Sequence, residues 1–391
     1  MESPLTARPT PEPPTTETPA PTIPPAPPPI LRATLQLYRL FDLADAIDFA
    51  IARACLASDT ISQRPVVSRG GNIEIRQLPL AVGLPGVAVP LAEAAGDARL
   101  EARLYELGIV ALVLHVPLAG PLNWSDAADL LARVQAAPRW LTDALRERLD
   151  TLRATIAPAL LRPNAIVREE DYTHLVVERL GEGAPASALA RHPALLQAAL
   201  GERKTLSAAA AALATPLSYY DDDLILLTWN TALIIDPDPA ARDDAALLLE
   251  FANAQLLAFR TYDARVDAEL AALTPRVARM RRFMWPVLLS SRRFLSEVHG
   301  LIADITDTSA RVENALKVTE DVYWNRVYTA ALAVLRVEVF RAGVADGLRV
   351  LREMAGLLHD EAEATWTSFL EVLVIVLILI EIILALLGLR H

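Results

Sequence analysis

The chain holds 391 residues, 53% of them hydrophobic, with 48 acidic against 37 basic side chains and a formal net charge of -11. This composition excludes a disordered protein and a nucleic-acid binder that works through its whole surface, leaving only a local basic patch for such a partner. A single cysteine, Cys55, excludes an intrachain disulfide.

The first thirty residues contain twelve of the 28 prolines among Thr, Glu and Ala, and so few large apolar groups that ordering them has nothing to offset its entropy cost. A disordered, polyproline-like tail over 1–30 is expected, serving as a spacer or as a Pro-rich ligand. No charged stretch is followed there by an apolar core, so no signal peptide is expected. From Leu31 the pattern turns to period two, with Leu31, Ala33, Leu35 and Leu37 on one side and Arg32, Thr34, Gln36 and Tyr38 on the other, which predicts a half-buried strand. "DLADAIDFAIARACL" reads as a helix holding Cys55 on its apolar side, and "NIEIRQLPL" after the "RGGN" turn as a second strand.

"LEARLYELGIVALVLHVPL" predicts two consecutive strands around Gly108, the second buried on both faces from Ile109 to Leu114. Ser125 and Asp126 supply N-cap chemistry for helices running toward Ile156. "AIVREEDYTHLVVERL" reads as a strand pair or one extended segment, and "LSYYDDDLILLTWNTALIIDPD" as strand-rich with a charged turn. After Asp238 the strand signal ends. Apolar residues then recur at three and four, as in Leu247, Leu248, Phe251, Leu256 and Phe259 and again from Val312 to Val339, which predicts long amphipathic helices separated near Pro275 and kinked or restarted at Pro286.

The expected fold class is therefore α+β: a disordered tail (1–30), a mixed α/β cytosolic module (31–239), a helical hairpin or stalk (240–366) and a C-terminal transmembrane helix (367–389). The last element rests on "LEVLVIVLILIEIILALLGLRH", an apolar run long enough for most of a roughly 30 Å hydrocarbon core. Trp366 and Arg390 fall where interfacial residues belong, and the arginines preceding the run place the bulk of the chain inside a bacterial inner membrane, tail-anchored and single-pass. Within that run Glu381 is an expensive carboxylate. It reads either as a self-association contact with a partner copy or as a protonated, tolerated side chain.

A second feature is the arginine cluster Arg276, Arg279, Arg281, Arg282, Arg292 and Arg293, interleaved with Phe283, Met284, Trp285 and Phe294. It suits anionic lipid headgroups, RNA or ribosome contact, or pairing with acidic neighbours such as Asp221, Asp222 and Asp223. The acidic triplets Glu169 to Asp171 and Asp221 to Asp223 point their side chains in alternate directions and read as solvated turns. His115, His174, His192, His299 and His359 show no zinc spacing. With no Walker loop, GxGxxG, GxSxG or HExxH, no metal, cofactor or catalytic residue is expected, and no DNA partner.

"SARVENALKVTEDVYWNRVYTAALAVLRV" and "LHDEAEATWTSFLEVLVIVLILIEIILALL", with Glu371 and Glu381 in the last phrase and Gly108 opening an apolar strand, resemble a group of uncharacterised bacterial membrane proteins. More distantly they resemble the family "required for meiotic nuclear division", also called YagE-like. The resemblance implies an α+β region before long helices in a membrane-attached, self-assembling protein, some relatives of which support translation at a membrane, with no catalytic residue to carry over. Together these readings predict a membrane-anchored homo-oligomeric scaffold, with a tether for RNA or the ribosome as the alternative.

Overall fold

The computed structural model describes residues 26–56, 78–136, 139–280 and 321–386, with six further positions between 300 and 310. Eight strands form one sheet: β1 (Ile30–Ile47), β2 (Leu80–Leu84), β3 (Arg99–Leu104), β4 (Ile109–Leu118), β5 (Leu160–Leu180), β6 (Thr215–Leu217), β7 (Leu224–Leu227) and β8 (Thr231–Ile235). Their spatial order is β2-β3-β4-β1-β5-β8-β7-β6. Every pairing is antiparallel except β5 with β8, so the sheet is mixed, with the long strands β1 and β5 at its centre.

Because side chains alternate along a strand, the sheet has two distinct faces. One carries Leu35, Leu37, Leu112, Leu114, Leu175 and Leu233, packed with α2 (Trp124–Gln135), α3 (Arg139–Thr155) and α4 (Pro193–Leu200). The other carries Tyr38, Leu40, Val113, Tyr172, Val176 and Ile234 beneath α6 (Pro239–Met280), with α7 (Val322–Val334) and the first half of α8 (Val337–Leu386) completing that core. Two short helices, α1 (Phe49–Cys55) and α5 (Ala208–Ala211), lie between strands. The result is three layers, helix on sheet on helix.

Several expectations hold. The two strands around Gly108 are β3 and β4, and Gly108 takes φ +86 where an added Cβ would fall 1.7 Å from the Ala44 carbonyl oxygen. Only glycine suits that turn. Others are corrected. "DLADAIDF" is not helix: β1 continues to Ile47 because β5 pairs with it to its end while β4 pairs as far as Asp42, and only Phe49–Cys55 is helical, capped by Asp48, with Cys55 half-buried. Asn123, rather than Ser125 or Asp126, precedes α2. Segment 160–180 is one strand, and Pro275 lies inside α6 instead of ending it. The strand expected at "NIEIRQLPL" lies largely outside the described residues, as do Pro286 and most of the proline-rich tail.

Two larger findings concern the helices. Where a helical hairpin or stalk is expected after Asp238, α6 lies on the sheet, and Leu248, Phe251, Leu256, Phe259 and Val266 are buried in the common core. α8 then packs on α6 so closely that a Cβ at Gly347 would stand 2.3 Å from Val266 Cγ1. The expected transmembrane helix over 367–389 is also overturned, since among the described residues no helix is long and apolar enough to cross a membrane. The apolar run of described side chains, 370–384, covers fifteen residues or about 22 Å, against a hydrocarbon core of about 30 Å, and contains both Glu371 and Glu381. The tail-anchored, single-pass inner-membrane placement loses its basis with that helix.

Candidate functional site

Two features stand out from the packing. The first is a row of polar side chains on the α6 face of the sheet. Pairing register places His115 (β4) and His174 (β5) on either side of Gln36 (β1), with Arg99 (β3) beyond His115. One step along the strands come Glu101, Val113, Tyr38 and Tyr172, and next to Glu101 on β3 is Arg103. Cross-strand neighbours stand about 5 Å apart, so the row is continuous.

α6 lowers Glu250, 1% exposed, onto this row. Its carboxylate accepts from the Arg103 guanidinium and, at 2.6 Å, from the Tyr105 hydroxyl. Arg103 also stands 3.6 Å from Glu101, and His115 Nε2 lies 3.7 Å from the same carboxylate, beyond hydrogen-bond range. Burial acts to raise the Glu101 carboxyl, but His115 and Arg103 outweigh it and hold it at about 2. Burial pushes Glu250 up, opposed by Arg103 and Tyr105. Burial lowers His115, and burial with Arg103 and His115 nearby holds His174 at about 3, so both imidazoles are neutral at neutral pH.

His174 is the centre of the row. It is fully buried, with the Tyr38 ring at 4.4 Å and the Tyr172 ring at 5.4 Å. The two tyrosine hydroxyls are directed elsewhere: Tyr38 donates to Gln36 Oε1 at 2.7 Å and Tyr172 to the Thr228 carbonyl at 2.8 Å. Neither ring nitrogen of His174 has a protein hydrogen-bond partner. An unmet buried polar atom costs about 1–3 kcal/mol, so two are large beside a net stability of about 5–15 kcal/mol.

The second feature is the far half of α8. From Leu370 to Leu384 every large apolar side chain is between 40% and 64% exposed, whereas Val344, Leu348, Leu351 and Ala355 of the same helix are buried against α6. The exposure runs right round the helix, and Glu381 is exposed within it. Trp366 lies on the same helix, and Arg390 outside the described residues. Arg276 and Arg279 fall in the last turns of α6, while Arg281, Arg282, Arg292 and Arg293 lie outside the described residues.

The acidic triplets do not converge. Asp223 accepts from the backbone N–H groups of Tyr219 and Tyr220 at 2.8 and 2.9 Å and from the Tyr323 hydroxyl at 3.2 Å, so it shapes its own loop and ties it to α7. Glu169 and Asp171 face Arg146 and Arg39 at 3.8 and 3.1 Å, and Glu170 pairs with Arg260 of α6. Among the described residues no group of three or more His, Cys, Asp or Glu could hold a metal ion. A second clamp joins α6 to the sheet where Arg265 and Arg162 reach Asp45 at 3.1 and 2.9 Å.

Gln36, Tyr38, Arg103 and Glu250 were not singled out in the sequence, and His115 and His174 were noted only for lacking zinc spacing. The available signal was parity: Gln36 and Tyr38 share a face of β1 that would be solvent-facing in a two-layer protein and is covered here by α6.

The family model described as "Uncharacterized protein MJ0711, N-terminal domain" matches residues 32–241, more than half of the chain, and the chain belongs to that family. The match ends where α6 begins, so Arg103, Tyr105 and His174 lie within it and Glu250 lies beyond it. The expected kinship with an uncharacterised family holds at that level, and the finer resemblance to the YagE-like family finds no support. No curated protein and no solved structure matches the chain.

Proposed function

We propose that this member of the MJ0711 N-terminal domain family is a self-associating scaffold whose copies assemble through the apolar far half of α8. The observation that carries this reading is the change of character along one helix. Its first half presents a buried stripe to α6, and its second presents Leu, Ile and Val on every side at 40% to 64% exposure. Monomers rarely leave a contiguous apolar patch of more than a few hundred Å² in water, and a helix apolar all round is stable only when surrounded.

A second copy carries the same segment, which makes the surface self-complementary, and obligate interfaces between identical chains are the most apolar class. Two helices would leave their outward sides wet, so more than two copies are expected. Glu381 would then lie inside the bundle, where a lone polar side chain in an apolar seam fixes register and copy number as buried polar residues do in coiled coils.

The test is light scattering after size exclusion, with and without mild detergent, on the full chain, on a chain ending at Thr367 and on Glu381→Leu. The full chain is expected at a defined multiple of 42.5 kDa. The shortened chain is expected as a monomer, and the leucine variant as an assembly of mixed size. A full chain that is monomeric in either buffer, or a shortened chain that keeps the full assembly, overturns the reading.

A further inference from the structure

We propose that the seam between the sheet and α6 is a binding site for a small neutral molecule that both donates and accepts hydrogen bonds, seated on His174 and flanked by Gln36 and His115, with water its smallest occupant. The proposal goes beyond assembly, since α8 takes no part in it. Four observations converge. His174 is fully buried and neither of its ring nitrogens meets a protein partner. His115 and His174 flank Gln36 in one register row, with His115 Nε2 3.7 Å from the Glu101 carboxylate. Beside them Arg103 keeps an unpartnered Nε. The row also reaches the rim of the layer, where the side chains of His115 and Glu101 are 12% and 13% exposed.

The chemistry selects the ligand class. Burial keeps both imidazoles uncharged, and a neutral imidazole offers one N–H and one lone pair. A partner for both must donate and accept, as water, a hydroxyl or a primary amide does. An anion would meet Glu101 and Glu250, and a cation would meet Arg103, whose guanidinium already lies between those two carboxylates. Ala232, level with His174 on β8, contributes only a methyl group to that side of the row.

The test uses the full chain, wild type and His174→Leu. If the nitrogens are hydrogen-bonded to a seated molecule, the leucine variant melts about 2–6 °C lower. If they are merely buried, leucine relieves them and the variant melts higher. An independent reading comes from ¹⁵N spectra of histidine-labelled wild type, where a seated molecule moves both ring nitrogens of His174 away from unbonded-imidazole values. Native mass spectrometry separates the sources: a mass excess lost in His174→Leu marks an organic ligand, and cross-relaxation to long-lived water without excess mass marks water. A higher melting temperature, or ring nitrogens at unbonded values, overturns the proposal.

Discussion

The two faces of the sheet are built by different rules. Beneath α2, α3 and α4 the strands contribute mainly leucine and valine, and Leu35, Leu112, Leu114 and Leu175 are all fully buried. Beneath α6 the same strands contribute Gln36, Tyr38, Arg103, His115 and His174, although burial there is nearly as deep. Hydrophobic packing alone would have filled both faces alike, because a buried ion pair contributes little or nothing over an apolar isostere. The polar face therefore calls for a reason beyond stability. It is also where the helix layer following the family's matched residues is joined to the sheet, so its contacts determine where α6 sits in a way that leucine against leucine would not.

Substitutions on each face should break this comparison most sharply. Glu250→Leu strands Arg103 in a buried setting with only Glu101 near it, and is expected to cost about 3–5 kcal/mol in urea denaturation. The double variant Arg103→Leu with Glu250→Leu should recover more than half of that, since both unpaired charges are gone. On the apolar face, Leu114→Ala is expected to cost about 2–4 kcal/mol through lost transfer energy and a cavity. Adding Leu112→Ala there should deepen the loss. If the two faces respond alike, with the polar double variant no better than the single, the ion pair is ordinary packing.

Acid sharpens the same contrast, because His174 and Asp42, both on the α6 face, are shifted in opposite directions. His174 has an ordinary value of 6.5 and stands at about 3 in the folded protein, so between those values the unfolded chain holds more protons. Its contribution is complete above pH 6.5 and is lost as pH falls toward 3, at up to about 1.4 kcal/mol per pH unit. Asp42 runs the other way. Burial raises it from 3.8 to about 6 against a hydrogen bond from Asn164, so the folded state holds the extra proton and gains stability as pH falls from about 6 to 3.8. Stability measured from pH 7 to 4 should fall less steeply in His174→Leu than in wild type, and more steeply in Asp42→Asn. Parallel curves for all three proteins would mean that neither group is shifted.

How much of this was legible beforehand depended on whether the deciding contact was local. Gly108 between two apolar alternations announced β3 and β4, and the segment around "DDDLILLTWNTALIID" showed its strands because turn residues and β-branched side chains act over a few positions. β1 runs past its expected end because "DLADAIDF" suits both a helix and a strand, and pairing with β5, more than a hundred residues away, decides it. The continuation of α6 past Pro275 was likewise hidden. The polar row showed only as parity, since Gln36 and Tyr38 look like the wet side of a strand until α6 is laid over them. The far half of α8 was visible as an apolar run, but reading it as a membrane span took its composition for a length that the described residues do not reach.

The smallest expected effect tests whether the polar character of this face extends past the sheet into the helices. On the side of α6 that meets α7, Tyr328 donates to Gln255 Oε1 at 2.6 Å, with both side chains at least 94% buried. Tyr328→Phe keeps the ring near Phe251 but strips that oxygen of its donor, and should cost about 1–2 kcal/mol by urea denaturation. Gln255→Leu alone should cost a similar amount by orphaning the hydroxyl. Combined, the two should cost less than their sum, because no polar atom of the pair is then left unmet. Simple additivity would instead show that the hydroxyl and the amide find other partners, and that the polar rule of this face stops at the sheet.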